Sequence, residues 1–292
     1  MQLSEFEDYD DIDFSPYYAK PNRKAKTRNR NKQTGTEQHV DYFSQIDFDN
    51  TEEYSAFEYF IGEGIIASGG PVLKQGKEAC VYRCPAEGTE RSREVAVKVY
   101  KNIEHRSFQA LSAYLQGRLA EAGINRRDSM HILSTPSELQ AFWVYSEFSV
   151  MQRLHDAGLP VPVPYAKCAT AFAMEFIYED DKQDEPAPRL HEYHCGPGEA
   201  QNNKRMLLNA IERMLELNII HGDLSPYNIL VRNGKPVIID FPQAVDARYN
   251  IRGREMLERD ILNVCRYCPH ERMSPQEETA RLTERLWEPF SH

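Results

Sequence analysis

The sequence predicts an α+β protein of two lobes: a β-rich N-terminal lobe and a compact, truncated helical C-terminal lobe. Three observations carry this. Residues 65–100 read as strands, the clearest being Val95-Ala96-Val97-Lys98-Val99. Beyond residue 199 apolar residues recur at helical spacing, interrupted by one hairpin signal. Between these regions, 179–188 is an acidic crossing that contains proline, and its composition marks the boundary. A chain of 292 residues is long enough to place two lobes around a cleft.

Composition narrows the function classes. At 41% hydrophobic and 27% charged residues the chain is globular rather than disordered throughout or fibrous. No stretch approaches the roughly 18–20 consecutive apolar residues of a membrane helix. The first residues are acidic with no apolar core, unlike a secretory signal, so the cytoplasm is the expected location and no membrane partner is expected. The net charge of −10 argues against a sleeve for nucleic acid. Charge is uneven, however: residues 1–13 hold six acids and no base, and 20–32 hold seven bases and no acid. The six cysteines are scattered, as reduced thiols are.

The elements follow in order. Residues 1–50 are polar without apolar periodicity and read as a loosely attached charged arm. The N-terminal lobe is assigned to 51–178 and the C-terminal lobe to 179–292. Gln75-Gly76-Lys77-Glu78-Ala79-Cys80-Val81-Tyr82 reads as strand–turn–strand with Gly76 at the bend. In the 95–99 strand, alternation puts the three valines on one face and Ala96 and Lys98 on the other. A lysine there must reach water or meet an anion. Residues 106–121 read as a helix and 124–137 as an irregular loop. A stronger helix spans 138–157, with Phe148, Met151 and Leu154 at helical spacing and a Gly-Leu-Pro stop. Pro160, Pro162 and Pro164 force an extended connector, and 171–177 is a short apolar strand.

Helix 199–217 presents Leu207, Ala210, Ile211, Met214 and Leu215 on one side and leads into His221-Gly-Asp-Leu-Ser-Pro-Tyr-Asn228. Strands 229–232 and 235–240 flank Asn233-Gly234, the strongest short hairpin signal. Helices at 253–268 and 275–287 close the chain.

The hairpin fixes a constellation. A two-residue turn pairs Arg232 with Lys235, placing Asn228 opposite Ile239 and Tyr227 opposite Asp240. Asp223 lies just before on the same loop, so three oxygen-bearing side chains converge where a hard divalent cation and a reacting hydroxyl could sit. Asp-x4-Asn, an apolar hairpin and then Asp is the spacing of a kinase catalytic loop and its metal aspartate. Lys98 supplies positive charge for phosphates, and helix 138–157 offers Glu138 and Glu147 as its partner. Glu147, mid-helix at the edge of the apolar stripe, is preferred. Each piece alone has a bland reading: an edge-strand lysine, a turn, a surface glutamate. Their occurrence in this order favours kinase chemistry. Cys265-Arg-Tyr-Cys268 with His191, His194 and Cys195 could suggest zinc, but a single C-x-x-C on a helix is more often packing.

These residues resemble the RIO protein kinases, an atypical branch of the protein-kinase fold. The resemblance rests on Gly76-Lys-Glu-Ala-Cys-Val-Tyr82, Val95-Ala-Val-Lys-Val-Tyr-Lys101, the Glu147 helix, Met174-Glu-Phe-Ile177, Ala187-Pro-Arg-Leu190, His221 to Leu230 and Ile239-Asp-Phe-Pro-Gln243. It implies a bilobal protein-kinase-like fold that binds ATP with Mg2+, or Mn2+ in its place. Gly76, Lys77, Glu78, Ala79 and Ala96 would cover the nucleotide, and Lys98, held by Glu147, would pair with its phosphates. Met174, Glu175 and Ile177 would form the hinge that receives adenine. Asp223 would be the catalytic base, and Asn228 and Asp240 the metal ligands, with a phosphoaspartate on Asp240 as a second role. Only about a dozen residues separate Asp240 from the helix near Gly253, and no Ala-Pro-Glu follows, so the usual peptide-binding shelf is missing here too. The chain departs from the family at the turn, with Lys74-Gln75-Gly76 in place of Ser-Thr-Gly.

The expected activity is therefore transfer of the ATP γ-phosphate to a serine or threonine of a protein, itself included. The alternatives are an ATPase switch in ribosome or ribonucleoprotein assembly, touching RNA through 20–32, and a small-molecule phosphotransferase of kinase-like fold.

Overall fold

The computed structural model describes residues 51–88, 94–101, 132, 134–179, 182–268 and 272–290. The charged arm, the helix expected over 106–121 and most of the loop expected over 124–137 lie outside the described residues.

The N-terminal lobe is a five-stranded antiparallel sheet in the order β1-β2-β3-β5-β4. Its strands are β1 (Val72–Gln75), β2 (Ala79–Pro85), β3 (Glu94–Tyr100), β4 (Pro164–Lys167) and β5 (Ala171–Glu175). The Gly76 N–H donates to the Ala79 carbonyl at 2.8 Å, closing a tight turn over Lys77 and Glu78. Central strand β3 sets Lys98 between Val81 of β2 and Phe172 of β5.

The two faces of β3 separate as its alternation predicts. Val95, Val97 and Val99 join a buried cluster with Tyr82, Ala171, Ala173, Ala56, Phe57 and Phe60. The last three belong to a helix that sequence reading missed, α1 (Thr51–Gly62), which covers this outer face. The 160–164 connector proves shorter than its prolines suggest, because β4 begins at Pro164 itself. Proline is tolerated as the first residue of an edge strand, where no ladder N–H is required of it.

Helix α2 (Pro136–Asp156) lies across the opposite face. Its Trp143 and Phe148 pack on Tyr100 and Phe172, at ring separations of 5.3 and 6.0 Å respectively. The same cluster continues without a break into the C-terminal helices α3 (Pro197–Glu216) and α4 (Gly253–Tyr267) through Leu207, Ile211, Met214, Leu257 and Ile261. One apolar core thus fixes α2 relative to both lobes.

Part of the 179–188 crossing is a small hairpin, β6 (Tyr178–Glu179) with β7 (Lys182–Pro186). Two further pairs frame the loop after α3: β8 (Ile219–Ile220) with β11 (Val245–Asp246), and β9 (Ile229–Arg232) with β10 (Lys235–Ile238). Asn233 and Gly234, at φ 49° and 71°, form the turn of the latter, and Arg232 pairs with Lys235 as the sequence predicts.

Helix α5 (Pro275–Trp287) starts with a capping box. Ser274 Oγ accepts the Glu277 N–H at 3.2 Å, and the Glu277 carboxylate accepts the Ser274 N–H at 2.9 Å. Buried Lys204 of α3 fastens α5 down, donating to Glu278 Oε2 at 2.7 Å and to the Cys268 carbonyl at 2.8 Å.

Candidate active site

Between the lobes lies a cleft of about 780 Å³. Gly76, Lys77, Glu78, Ala79, Val81 and Ala96 line its roof, Met174, Glu175 and Ile177 its back, and Leu230 and Ile239 its floor. At its inner end, buried Lys98 donates to Glu147 Oε1 at 2.7 Å and to Asp240 Oδ1 at 2.6 Å. Of the two glutamates offered by α2, the buried Glu147 is the one that meets the lysine, as expected.

Glu147 is held from three sides. The Phe241 N–H donates to Oε1 at 3.2 Å, and the Tyr100 hydroxyl donates to Oε2. Burial pushes the Glu147 carboxyl up to about 7, against the pull of Lys98, and the nearby Asp240 charge adds to the rise. For Lys98 burial acts against the charge, but two carboxylates outweigh it and hold the amine above its ordinary value. Asp240, though burial opposes its charge, is kept ionised by Lys98, below the usual carboxylate range. The lysine therefore stays protonated, and its hydrogen bond to Asp240 uses one carboxylate oxygen, Oδ1. Asp240 also has a φ of 72°, a left-handed conformation that costs a non-glycine residue about 1–3 kcal/mol and is characteristic of functional sites.

Asn228 sits beside Asp240 through the ladder predicted from the turn, since the Ile239 N–H donates to the Asn228 carbonyl at 3.0 Å. Its side-chain amide donates to Asp223 Oδ2 at 3.1 Å and to the Asp223 carbonyl at 2.9 Å. That orientation leaves the amide oxygen available. Asp223 and Asn228 are not part of the cleft lining; they lie on the loop that joins it at Tyr227.

Several residues that build the site escaped sequence reading. Tyr100 is one. Another is Asp260 on α4, whose carboxylate accepts the N–H groups of Gly222 at 2.7 Å and Leu224 at 2.8 Å, one residue on either side of Asp223. Burial pushes its carboxyl up to about 7 despite those donors. A signal existed: Asp260 is an acid on the apolar stripe of Leu257, Ile261 and Val264. His221, buried against Phe241, has Nε2 3.2 Å from the Ile239 carbonyl, and burial lowers its pKa. Cys195, which entered the zinc reading, has its sulfur 3.4 Å from the Tyr267 hydroxyl. Among the described residues no cluster of three or more His, Cys, Asp or Glu side chains could hold a metal ion.

The residues present fit a nucleotide and a divalent cation. Val81 and Ala96 of the roof and Leu230 and Ile239 of the floor give apolar surfaces that suit a flat base, and no group among the described residues accepts the Ile177 N–H on the back wall. The amide oxygen of Asn228 and the carboxylate of Asp240 are hard oxygen donors of the type such cations take.

The sheet lobe, its bridging helix and this site define a two-lobed, kinase-like α+β protein. The model of the RIO domain matches residues 80–281, more than half of the chain, and the chain belongs to the RIO family. It is 33% identical over 214 residues to serine/threonine-protein kinase RIO1 of Chaetomium thermophilum, covering 70% of this chain and 40% of that protein. It is 31% identical over 196 residues to serine/threonine-protein kinase RIO1 of Caenorhabditis elegans, covering 67% and 36%. Against the RIO-type serine/threonine-protein kinase Rio1 of Haloferax volcanii it is 29% identical over 216 residues, covering 73% and 68%. The match thus spans about two fifths of the two eukaryotic relatives' length. Among the described residues, no helix is long and apolar enough to cross a membrane.

Proposed function

We propose that this chain is a Mg-ATP-dependent serine/threonine protein kinase of the RIO type, transferring the ATP γ-phosphate to a protein hydroxyl, its own included. The observation that carries this reading is the double ion pair of Lys98 with Glu147 and Asp240, beside the Asn228–Asp223 bond.

In this reading Gly76, Lys77, Glu78, Ala79 and Ala96 cover the nucleotide, and Met174, Glu175 and Ile177 receive the base through backbone groups. Glu147 aims Lys98 at the phosphates. Asn228 and Asp240 hold Mg2+, or Mn2+ in its place, which supplies charge neutralisation at the phosphate oxygens when bound. Asp223, its Oδ2 fixed by Asn228, accepts the proton of the attacking hydroxyl as that oxygen bonds to phosphorus and the bond to the ADP oxygen breaks. The organisation goes with it: an arm over 1–50, an N-terminal lobe with hinge over 51–178, and a C-terminal lobe over 179–292. The basic run 20–32 is proposed as the contact for an RNA or ribosomal partner, and the cytoplasm as the location.

The test follows the γ-phosphate of labelled ATP with Mg2+ in wild type and Asp223→Ala. Acid-stable label on wild-type protein, absent from the variant, is the expected result. Equal labelling of both would remove Asp223 as the base, whereas label released only as inorganic phosphate would replace the kinase reading with an ATPase switch.

A further inference from the structure

Three cations that line the cleft, Lys74, Lys77 and Arg189, take no part in the hydrogen-bond network around Lys98, and two of them come from opposite lobes. Lys74 projects from edge strand β1 in the N-terminal lobe, and Arg189 from the segment that follows β7 in the C-terminal lobe, where it bridges to Leu230 of β9. Both line the cleft. Neither side chain has a hydrogen-bond or ion-pair partner among the described residues, in contrast to Lys98, Lys101, Arg83 and Arg232 around them. Burial, and then the Arg189 charge, hold the Lys74 amine below its ordinary value, with Lys98 adding to the effect and Asp240 opposing it. Lys74 and Arg189 thus line one cleft from opposite lobes with no side-chain partner among the described residues, and like charges so placed repel unless an anion lies between them.

We propose that Lys74 and Arg189 form a clamp across the mouth of the cleft that grips the phosphate chain of a nucleotide and draws the lobes together on it. The inference rests on the nucleotide reading of this cleft. It gives Lys74, which stands where a hydroxyl residue was expected, a job that a lysine does at longer reach. It also gives the nucleotide-free cleft a reason to stay open, because the repulsion acts between lobes and disappears when a phosphate neutralises it. A lysine grips phosphate as a point charge and an arginine grips it as a fork, so the pair tolerates some movement of the chain on one side and fixes it on the other.

The experiment compares calorimetric binding of adenosine, ADP and a non-hydrolysable ATP analogue to wild type, Lys74→Ala, Arg189→Ala, Lys74→Arg and Lys74→Glu. Each alanine variant is expected to bind ADP and the analogue about tenfold more weakly, with adenosine affinity unchanged. Lys74→Arg should keep most of the phosphate gain. Lys74→Glu should lose it and yet raise the melting temperature of the nucleotide-free protein, since the introduced carboxylate would pair with Arg189 where the Lys74 amine repelled it. Unchanged adenosine binding also reports that each variant is folded. A parallel loss of adenosine affinity, or an unchanged ratio of ADP to adenosine affinity, would overturn the clamp while leaving the nucleotide site in place. If wild type bound none of the three ligands, the nucleotide reading itself would fall, and the clamp with it.

Discussion

Asp260 on α4 accepts the Gly222 N–H at 2.7 Å, tying the backbone just before Asp223 to a helix of the C-terminal core. Its second oxygen takes the Leu224 N–H on the other side, so one buried carboxylate sets the height and tilt of the loop. Replacing Asp260 with alanine leaves two buried donors unsatisfied, at about 1–3 kcal/mol each. The expected outcome is a loss of about 2–5 kcal/mol in urea unfolding and a fall in kcat larger than the change in KM for ATP. A kcat within twofold of wild type would show that the loop holds its place without this anchor.

The same group predicts a pH dependence. Its folded pKa, raised to about 7, lies above the ordinary carboxylate value of 3.8, so the folded state binds the proton more tightly. Stability from this group is full below about pH 4 and is lost as pH rises towards 7. Glu147, also raised to about 7, acts in the same direction. Buried His221, lowered, acts against both: the unfolded imidazole takes the proton first, so its contribution is lost as pH falls through 6.5. Asp240, lowered, changes stability only below about pH 4. Comparing unfolding free energies of wild type and Asp260→Asn from pH 5 to 7.5 isolates the first contribution. The variant should fall less steeply with pH, and parallel curves would rule out the buried-acid account.

Gly222 is fixed by both conformation and space. At φ +78°, a Cβ there would lie 2.5 Å from the Gln243 carbonyl and 2.4 Å from Met256 Cε. The methionine can swing away, but the carbonyl cannot. Gly222→Ala should therefore cost about 1–3 kcal/mol and lower turnover by shifting Asp223, while nucleotide binding in the cleft stays near normal. Wild-type thermal stability in this variant would show that the backbone relaxes freely here.

The sequence disclosed most where a short-range rule had one solution. Asn233-Gly234 dictated the β9–β10 register and with it the adjacency of Asn228 and Asp240. The alternation of β3 put Lys98 on the cleft face, and helical spacing chose Glu147 over Glu138. What stayed hidden depended on contacts made far along the chain. The apolar residues of α1 include exposed Tyr59 and Ile61 as well as buried Phe57 and Phe60, so its stripe is blurred until the sheet is there to receive it. Asp260 reads as an acid misplaced on an apolar stripe unless the two N–H groups of a loop 36 and 38 residues earlier are known.

Around Lys98, neutralising either carboxylate should have different effects. Asp240→Asn removes a proposed cation ligand, and its activity should fall by at least about a hundredfold at any Mg2+ concentration. Glu147→Gln leaves the Asp240 pair standing and should reduce kcat less, with KM for ATP raised, because Lys98 loses its aim rather than its charge. Tyr100→Phe removes only one donor to Glu147 and should cost about 1 kcal/mol of stability with less than a tenfold loss of turnover. Steady-state kinetics on the three variants checks the order. Equal losses in all of them would mean that the cluster serves folding rather than positioning.

Removal of the divalent cation by a chelator should abolish phosphate transfer, and added Mg2+ should restore it. Asn228→Ala should raise the Mg2+ concentration for half-maximal activity by about tenfold or more. It should also lower the maximum, because Asp223 loses the amide that fixes its Oδ2. An unchanged Mg2+ requirement with a lowered maximum would assign Asn228 to Asp223 alone.

Lys204 gives a prediction about the fold apart from the site. Its ammonium and the Glu278 carboxylate are both buried, 2.7 Å apart, and the pair joins α3 to α5. Removing one partner strands the other charge in the interior, at about 3–5 kcal/mol, whereas replacing both with apolar residues of similar volume is often close to neutral. Lys204→Met alone should therefore lower the melting temperature by several degrees, and Lys204→Met with Glu278→Leu should recover most of the loss. The double replacement still leaves the Cys268 carbonyl without its donor, so recovery should fall short by about the 1–3 kcal/mol of one unmet buried acceptor. If the single variant costs under about 1 kcal/mol, water reaches Glu278, and the joint between α3 and α5 is held by its apolar contacts instead.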